Sequence, residues 1–413
     1  MSDGTAMTDA HASIPTPSDH ASIPTPSDHA SIPTPSDEPF RFYDNREKYL
    51  LFVTTTSEKS EVAARIGREL SSLAPKPPAL RLFDAGTGNG EVLSQVLRQM
   101  HREFPTIPVL AVGKEISIED MRLTLSRLPD RLAEHPQTVV VLTNMFYAEA
   151  PWLYPKSAEN QANLQWWDVP LAGDSAHAFS EQIGNLDSIL AGGWQTTTSP
   201  KTGNPIYAAP SVLVLYRADE KFALDAVIPK RTDAPQPADF DIVLAAQPYR
   251  SRTSADVKVR SVLGPLARSL AVGGRLVVVQ SAGHDPAMEI VRRIWPAEDP
   301  FATPRNLLLQ ELDAVLNDGA GPHDKPFAFD GTSDHDALFT YHLHAMPSEV
   351  SSRISTSTAM AAWNAAVYVA QIEDERIAAQ LHSGEYLKPT AEILRKNGGL
   401  WFQDESFVVV RRR

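Results

Sequence analysis

The sequence contains no cysteine, which excludes disulfide bonds, thiolate catalysis and cysteine-ligated zinc. It also has no uninterrupted run of the ~20 apolar residues that a membrane-spanning helix needs. No basic N-terminal region leads into an apolar core, as it would in a secretory signal peptide. These absences predict a cytoplasmic protein with no membrane partner.

Positive charge is scarce. The chain has 38 lysines and arginines against 51 acidic residues, and its formal net charge is −13. A protein that binds nucleic acid through the phosphates normally carries the opposite excess. We therefore expect no nucleic-acid partner, and we interpret the terminal arginines, Arg411 to Arg413, as a solvated chain end.

Composition and patterning divide the 413 residues into five segments. Residues 1–38 include three copies of the nonapeptide HASIPTPSD, which is too poor in large apolar residues to fold, and they predict a disordered tail. Residues 39–79 carry apolar positions at helical spacing and predict a helical cap. Residues 80–149 and 238–413 alternate strand-like and helix-like runs, as two halves of one core would. The segment 150–237 between them is rich in Pro, Gly and Trp and predicts an inserted lid or substrate-binding element.

The two halves of the core predict an α/β fold. The expected strands are Arg81–Ala85, Pro108–Val112, Thr138–Leu142, Asp241–Ala245, Arg275–Gln280, Ala337–His344 and Phe407–Arg411. Strands that alternate with helices form a mostly parallel sheet covered on both faces. The prediction is a doubly wound, Rossmann-like sheet of seven strands, with the last two at an antiparallel edge.

A glycine-rich segment, DAGTGNGE at residues 84–91, follows the first predicted strand and opens a helix. Gly86, Gly88 and Gly90 remove side chains where a backbone must turn tightly and approach a ligand. A dinucleotide-binding loop would place the third glycine one position later, which disfavours a nicotinamide dehydrogenase. Asp84 precedes the first glycine by two residues, and a carboxylate there suits a cationic ligand better than a pyrophosphate.

The pattern Asp-x-Gly-x-Gly-x-Gly resembles the first motif of class I S-adenosylmethionine-dependent methyltransferases. The resemblance implies S-adenosyl-L-methionine as the cofactor, with Glu115 accepting the ribose hydroxyls and Asn144 meeting the adenine amino edge. The full set of cofactor contacts that it implies is Tyr43, Asp84, Gly86, Thr87, Gly88, Gly90, Glu115, Asn144 and Ala246.

A second resemblance concerns the methyl acceptor. The stretch from Tyr49 to Glu58, and Gln247 at the end of the fourth predicted strand, are similar to features of histamine N-methyltransferase-like enzymes. The resemblance covers roughly residues 43–145 and 238–282, and it implies that Glu58 and Gln247 hold an amine. Tyr249 completes the catalytic candidates, because Gln-Pro-Tyr is loosely like a motif of amino-methylating enzymes. The expected reaction is N-methylation of a small amine or imidazole-type metabolite.

Other interpretations stay open at this point. O-methylation of a natural-product scaffold, a peptide acceptor and a non-catalytic binding module with this fold are the alternatives. Tryptophans of the insert either stack on the acceptor or form the insert's own core; they are Trp152, Trp166, Trp167 and Trp194. No metal site is predicted, because His335, His342 and His344 lack an accompanying carboxylate–histidine helix motif.

Overall fold

The computed structural model describes residues 46–200, 203–321, 324–329, 333–344 and 354–412. The nonapeptide repeats and Tyr43 lie outside these residues. Within them the strands are β1 (Leu80–Asp84), β2 (Val109–Lys114), β3 (Thr138–Thr143), β4 (Gln165–Leu171), β5 (Thr196–Thr198), β6 (Pro205–Tyr207), β7 (Ser211–Arg217), β8 (Phe240–Ala246), β9 (Leu270–Ser281), β10 (Phe327–Phe329), β11 (Leu338–His342) and β12 (Trp401–Arg411).

The α-helices of the described residues are α1 (Arg46–Thr55), α2 (Glu58–Gly67), α3 (Glu91–Glu103), α4 (Ile118–Glu134), α5 (Ala158–Ala162), α6 (Ala176–Gly184), α7 (Asp187–Gly193), α8 (Ala255–Lys258), α9 (Gly264–Arg268), α10 (Pro286–Ile294), α11 (Arg305–Leu316), α12 (Asp334–Ala337), α13 (Thr356–Val369), α14 (Asp374–Ser383) and α15 (Leu387–Asn397). A π-helical turn, Val259–Leu263, joins α8 to α9. None of these helices is both long and apolar enough to cross a membrane.

One mixed sheet organises the chain, in the order β10-β12-β9-β8-β1-β2-β3-β7-β4, with β11 also paired to β12. The central strands from β9 to β3 are parallel, and β12 and β7 run antiparallel to their neighbours β9 and β3. The mostly parallel α/β sheet agrees with the sequence prediction. Helices cover both faces, so the central strands are buried hydrophobic runs; all six residues of β3 are buried.

The predicted number of seven strands was wrong, because the sheet has ten strands within the described residues alone. Two of the extra strands, β4 and β7, come from the segment 150–237 and extend the sheet beyond β3. The third, β10, is only three residues long and gives no periodic signal. The segment 150–237 is therefore partly an extension of the core sheet and not only an element laid over it.

Two smaller features also differ from what the sequence predicts. The apolar periodicity of Ala359–Gln380 predicts one helix, whereas the structure has two, α13 and α14, because the chain turns at Gln371 with a φ of 54°. The pair Gly273-Gly274 predicts a turn, but it lies inside the long strand β9, next to an irregularity in the register of β9 with β8.

The strand order creates a switch point between β1 and β8. From β1 the chain crosses to β2 and then β3 on one side, whereas β8 pairs on the other side of β1. Connections that leave in opposite directions open a crevice beyond the carboxyl ends of the strands, where doubly wound proteins bind ligands.

Candidate functional site

A cavity of about 560 Å³ lies at this switch point. Its wall includes residues that follow the carboxyl ends of β1, β2, β8 and β9, together with residues of α1, α2 and α13. Seven of the predicted site residues line it: Glu58, Gly86, Gly88, Glu115, Ala246, Gln247 and Tyr249. The structure thus brings together the cofactor and acceptor candidates that lie far apart in the sequence.

The glycine loop forms one end of the cavity, and two of its glycines are required by their backbone. Gly88 and Gly90 have φ values of 53° and 77°, in the left-handed region. A Cβ on Gly90 would lie 2.7 Å from Thr124 Cα, and a Cβ on Gly88 would lie 2.8 Å from the Tyr49 hydroxyl. A Cβ on Gly86, by contrast, would have no neighbouring atom within 4 Å. The space beside Gly86 is therefore open to a ligand.

Asp84 lies beneath this loop and is almost completely buried. Its Oδ1 accepts a hydrogen bond from the Gly86 amide at 3.1 Å. Burial raises the pKa of the Asp84 carboxyl from 3.8 to about 6; the bond from Gly86 opposes the rise, Glu115 adds to it, and Lys59 opposes it. A positively charged ligand beside the loop would stabilise the ionised form of this carboxylate.

Glu115, just after β2, ties the glycine loop to the next helix. Its Oε2 accepts from the Gly88 amide, and its Oε1 accepts from the Ile116 and Ser117 amides, each at 2.8 Å. Burial and the nearby Asp120 raise its pKa. Three bonds occupy three of the roughly four lone-pair positions of a carboxylate. One position remains for a ligand hydroxyl, not the two that the predicted ribose contact uses, unless the bond to Gly88 opens.

Asn144 directly follows β3, and its side chain hydrogen-bonds to the segment 150–237. Its side-chain amide donates to the carbonyls of Gly193 and Ala209 and accepts from the Ser211 amide, each at 2.9 Å. Because Asn144 is 2% exposed and fully engaged, the structure does not support an adenine contact. An asparagine after a strand can hydrogen-bond a neighbouring segment as well as a ligand, and here it anchors the insert to the core.

Two further predicted residues lie behind the cavity wall. Thr87 is buried, with its amide donating to the Lys114 carbonyl at 3.0 Å. Gly90 packs on Thr124 of α4, as described above. Both shape the loop without forming part of the wall.

The opposite end of the cavity is built from side chains of separate elements. Glu58, the first residue of α2, is 3% exposed, and its Oε2 lies 2.9 Å from the Lys59 ammonium. Gln247 follows β8, and its amide nitrogen Nε2 donates to Ser281 Oγ at 3.0 Å. Tyr249 donates its hydroxyl to Gln280 Oε1 at 2.9 Å, which fixes the ring along the wall.

Asp404, a carboxylate on β12, is completely buried beside this end and was not among the predicted site residues. Its Oδ2 lies 3.4 Å from Gln247 Nε2. Burial raises its pKa well above the ordinary value, and Glu58 raises it further. The available signal was its place in phase with Phe402 and Ser406, on the buried face of a strand.

The segment 150–237 reaches the cavity through Asn204 and Pro205, next to and within β6. Arg250, after β8, donates a hydrogen bond to Asn204 Oδ1 and so joins this segment to the acceptor end. Among the described residues, none of the insert's tryptophans belongs to the wall. Trp194 is 2% exposed and donates from Nε1 to the Glu115 carbonyl at 2.8 Å, so it packs the insert against β2.

The late histidines make no metal centre. The side chain of His335 is 97% exposed, and His342 and His344 are also exposed. Among the residues that the structure describes, no group of three or more His, Asp or Glu side chains could hold one ion.

No protein-family model matches the sequence, and no curated protein matches it either. Among solved structures, a protein from Galdieria sulphuraria assigned as a sarcosine dimethylglycine methyltransferase is 8% identical, with a TM-score of 0.34 over 86% of this chain and 85% of that chain. Geranyl diphosphate methyltransferase, in complex with GPP and sinefungin, is 12% identical, with a TM-score of 0.30 over 85% and 78%. The [4+2]-cyclase SpnF is also 12% identical, with a TM-score of 0.30 over 84% and 80%. Similarity this distant carries no argument about activity, which has to be argued from the site.

Proposed function

We propose that this chain is an S-adenosylmethionine-dependent methyltransferase that methylates a nitrogen atom of a small amine or imidazole-type metabolite. The observation that carries the proposal is that one cavity joins two chemically distinct ends. One end is a glycine loop over buried Asp84 and beside Glu115; the other holds Glu58 and Gln247, with Asp404 behind them.

The loop end fits the cofactor in both shape and charge. The space beside Gly86 admits a ligand close to the backbone. The buried carboxylates of Asp84 and Glu115 both have raised pKa values, because burial disfavours their ionised forms. A cation beside them would offset part of this free-energy cost. The proposed cofactor carries both an ammonium and a sulfonium. When bound, it supplies an activated methyl group.

The acceptor end fits an amine. Glu58 provides a buried carboxylate at the wall, and the aromatic side chains of Phe52, Tyr341 and Tyr368 stand near it. Aromatic faces and a carboxylate together attract an ammonium group. Since an amine must lose a proton before it attacks, Glu58 can receive that proton or hold a second cationic group of the acceptor. The protein's further contribution is to align the nitrogen and to exclude water.

Titration calorimetry with S-adenosylhomocysteine tests the first half of the proposal. We expect saturable binding by the wild-type protein, and no heat at high micromolar ligand would contradict cofactor use altogether. The same result would favour a non-catalytic binding module.

Transfer of a tritiated methyl group to panels of amines, phenols and peptides tests the second half. We expect label on amines or imidazoles. Label confined to phenols would replace N-methylation by O-methylation, and label confined to peptides would rule out a small-molecule acceptor.

A further inference from the structure

Asp404 presents a problem that the fold alone does not explain. It is 0% exposed on β12, and its Oδ1 has no hydrogen-bond partner among the described residues. A buried carboxylate oxygen without a donor is costly, and a strand inside a sheet gains nothing from it.

The other oxygen of Asp404 faces a polar pair at the cavity wall. Gln247 Nε2 lies 3.4 Å from Asp404 Oδ2 and 3.0 Å from Ser281 Oγ. Ser281 is also the direct partner of Asp404 in the pairing of β9 with β12. Burial raises the pKa of Asp404, Glu58 raises it further, and the hydrogen bond from Ser281 opposes the rise.

The backbone of Gln247 is constrained as well. Its φ is 50°, a left-handed value that side-chain-bearing residues rarely adopt, and its amide is held by the Val279 carbonyl at 2.9 Å. Strain of this kind persists where the surroundings fix a residue for a function. Gln247 is thus held twice, by β9 through its main chain and by Asp404 and Ser281 through its side chain.

We propose that Asp404 is a positioning residue that sets the orientation of the Gln247 side-chain amide. Asp404 Oδ2 and Ser281 Oγ both accept from Gln247 Nε2, so this nitrogen is drawn toward β9 and β12 and Oε1 is left for the cavity. An inward carbonyl oxygen accepts an N–H from the acceptor and offers nothing to an ether or a carbonyl. This inference rests on the proposed function, because it specifies how the acceptor end selects an amine.

The first test does not depend on turnover. In protein labelled with 15N-glutamine, loss of a signal in Gln247→Glu identifies the Gln247 side-chain NH2 group, and its exchange with solvent is then measured. We expect exchange in Asp404→Leu to be faster by about tenfold or more, as one lost hydrogen bond would allow. Asp241→Leu, a buried carboxylate at the far end of β8, is the control. Unchanged exchange in a folded Asp404→Leu variant would overturn the proposal.

The second test swaps the hydrogen-bonding groups of residues 247 and 404. The probe is whichever of histamine, tyramine and 1,4-diaminobutane the wild type methylates fastest. Gln247→Glu places two carboxyl groups face to face, and we expect KM for the probe to rise about tenfold with little change in kcat. Adding Asp404→Asn restores a donor opposite an acceptor and keeps an oxygen toward the cavity, so KM should return to within about threefold of wild type.

Two outcomes of this swap decide the role of Asp404. Recovery of KM in the double variant supports a positioning role, whereas effects of the two substitutions on KM that simply multiply contradict it. S-adenosylhomocysteine affinity, measured in parallel, should be equal in all variants. If the wild type bound no S-adenosylhomocysteine and methylated no probe, the proposed function would fail, and the amide-exchange measurement would still decide the role of Asp404.

Discussion

The two ends of the cavity are built on different principles. The loop end comes from one continuous stretch, residues 84–91, with Glu115 beside it, and its hydrogen bonds join carboxylates to backbone amides. The acceptor end gathers side chains from α2, β8, β9 and β12, which span most of the described chain. One end is a property of the backbone, and the other is a product of tertiary packing.

This difference explains what each end reveals in a sequence. A backbone-built site needs glycines at fixed spacing, because a Cβ at Gly90 would collide with α4. That requirement leaves a local pattern. A site built by convergence leaves isolated polar residues, such as Glu58 and Asp404, and no local pattern shows that they meet at one site.

The largest effect is expected from damage to the loop end. Gly88→Val would force a left-handed valine against the Tyr49 hydroxyl, and Asp84→Ala would remove the buried carboxylate opposite the ligand's cation. We expect each variant to lose about a hundredfold or more in S-adenosylhomocysteine affinity, as the loss of a charge-assisted contact implies. Titration calorimetry measures this, with circular dichroism to show that the fold is intact.

Gly184→Val is the matched control, because a Cβ there meets nothing within 4 Å and the residue ends α6, away from the cavity wall. It should bind like the wild type. Normal affinity in a folded Gly88→Val or Asp84→Ala protein would show that the ligand does not use this loop.

A smaller effect, on methyl transfer and not on cofactor binding, is expected from a change in the insert. Shortening the hairpin of β5 and β6 to remove Asn204 and Pro205 opens the acceptor end and leaves the loop end untouched. We expect methyl transfer to the best amine of the panel to fall about tenfold, with S-adenosylhomocysteine affinity unchanged, if the hairpin excludes water and positions the acceptor. An unaltered rate would make this hairpin a surface elaboration.

Replacing the whole segment 150–237 is a different experiment. It would remove β7 from its pairing with β3 and leave that buried strand at an exposed edge. We expect unfolding or aggregation, which the hairpin variant avoids.

A substitution at Asn144 tests whether this residue anchors the insert or binds the ligand. Asn144→Ala removes two donors and one acceptor that hold Gly193, Ala209 and Ser211. The free energy of unfolding should fall by about 2–4 kcal/mol, since buried groups are left unpaired. Urea unfolding measures this, and S-adenosylhomocysteine affinity should not change. Weaker binding at full stability would restore the adenine contact implied by the resemblance.

The parallel core was predictable because strand and helix signals there are strong and local. The apolar periodicity predicts a helix over Ile118–Glu134, which are the observed bounds of α4, and the predicted β3 differs from the observed one by one residue. The edge strand β4 was not predictable, because it contains Pro170 and alternates weakly, and its place in the sheet depends on β7. Partners distant in sequence decide such strands, and propensity does not.

The candidate site divides in the same way. The glycines and Glu115 could be located from their position after predicted strands, since parallel strands end at one edge. Asn144 occupies an equivalent position, but only the fold reveals that the insert folds back onto it. Asp404 was missed, because its hydrogen-bond partner Gln247 lies in a distant part of the sequence.

The pH dependence of binding tests the charge of the loop end. Asp84 and Asp241 both have pKa values raised to about 6, mainly by burial. A carboxyl that holds its proton more tightly in the folded chain lowers the free energy of unfolding as pH rises from about 4 to about 6. Of these two residues only Asp84 lies at the loop, so S-adenosylmethionine affinity should rise severalfold between about pH 5 and pH 7 as Asp84 ionises, together with any ionisation of Glu115.

Asp84→Asn should flatten this profile, and Asp241→Asn should leave it as in the wild type. Both variants should lose less stability than the wild type over the same pH range. A profile that stays steep in Asp84→Asn would move the titrating group elsewhere in the site.

The smallest effect is expected from the N-terminal repeats. Residues 1–37 include three proline-rich copies of the nonapeptide. Their large apolar residues are Ile14, Ile23 and Ile32, which are too few to form a packed surface. Deleting them should change the melting temperature by less than about 1 °C and leave S-adenosylhomocysteine affinity unchanged. Deleting residues 1–45 as a second variant removes Tyr43 as well, and this longer deletion should weaken the affinity if the implied cofactor contact is correct. A fall of several degrees in the shorter deletion would show that the repeats stabilise the folded chain. Equal affinities in both deletions would remove Tyr43 from the cofactor site and confine that site to the loop, Glu115 and the end of β8.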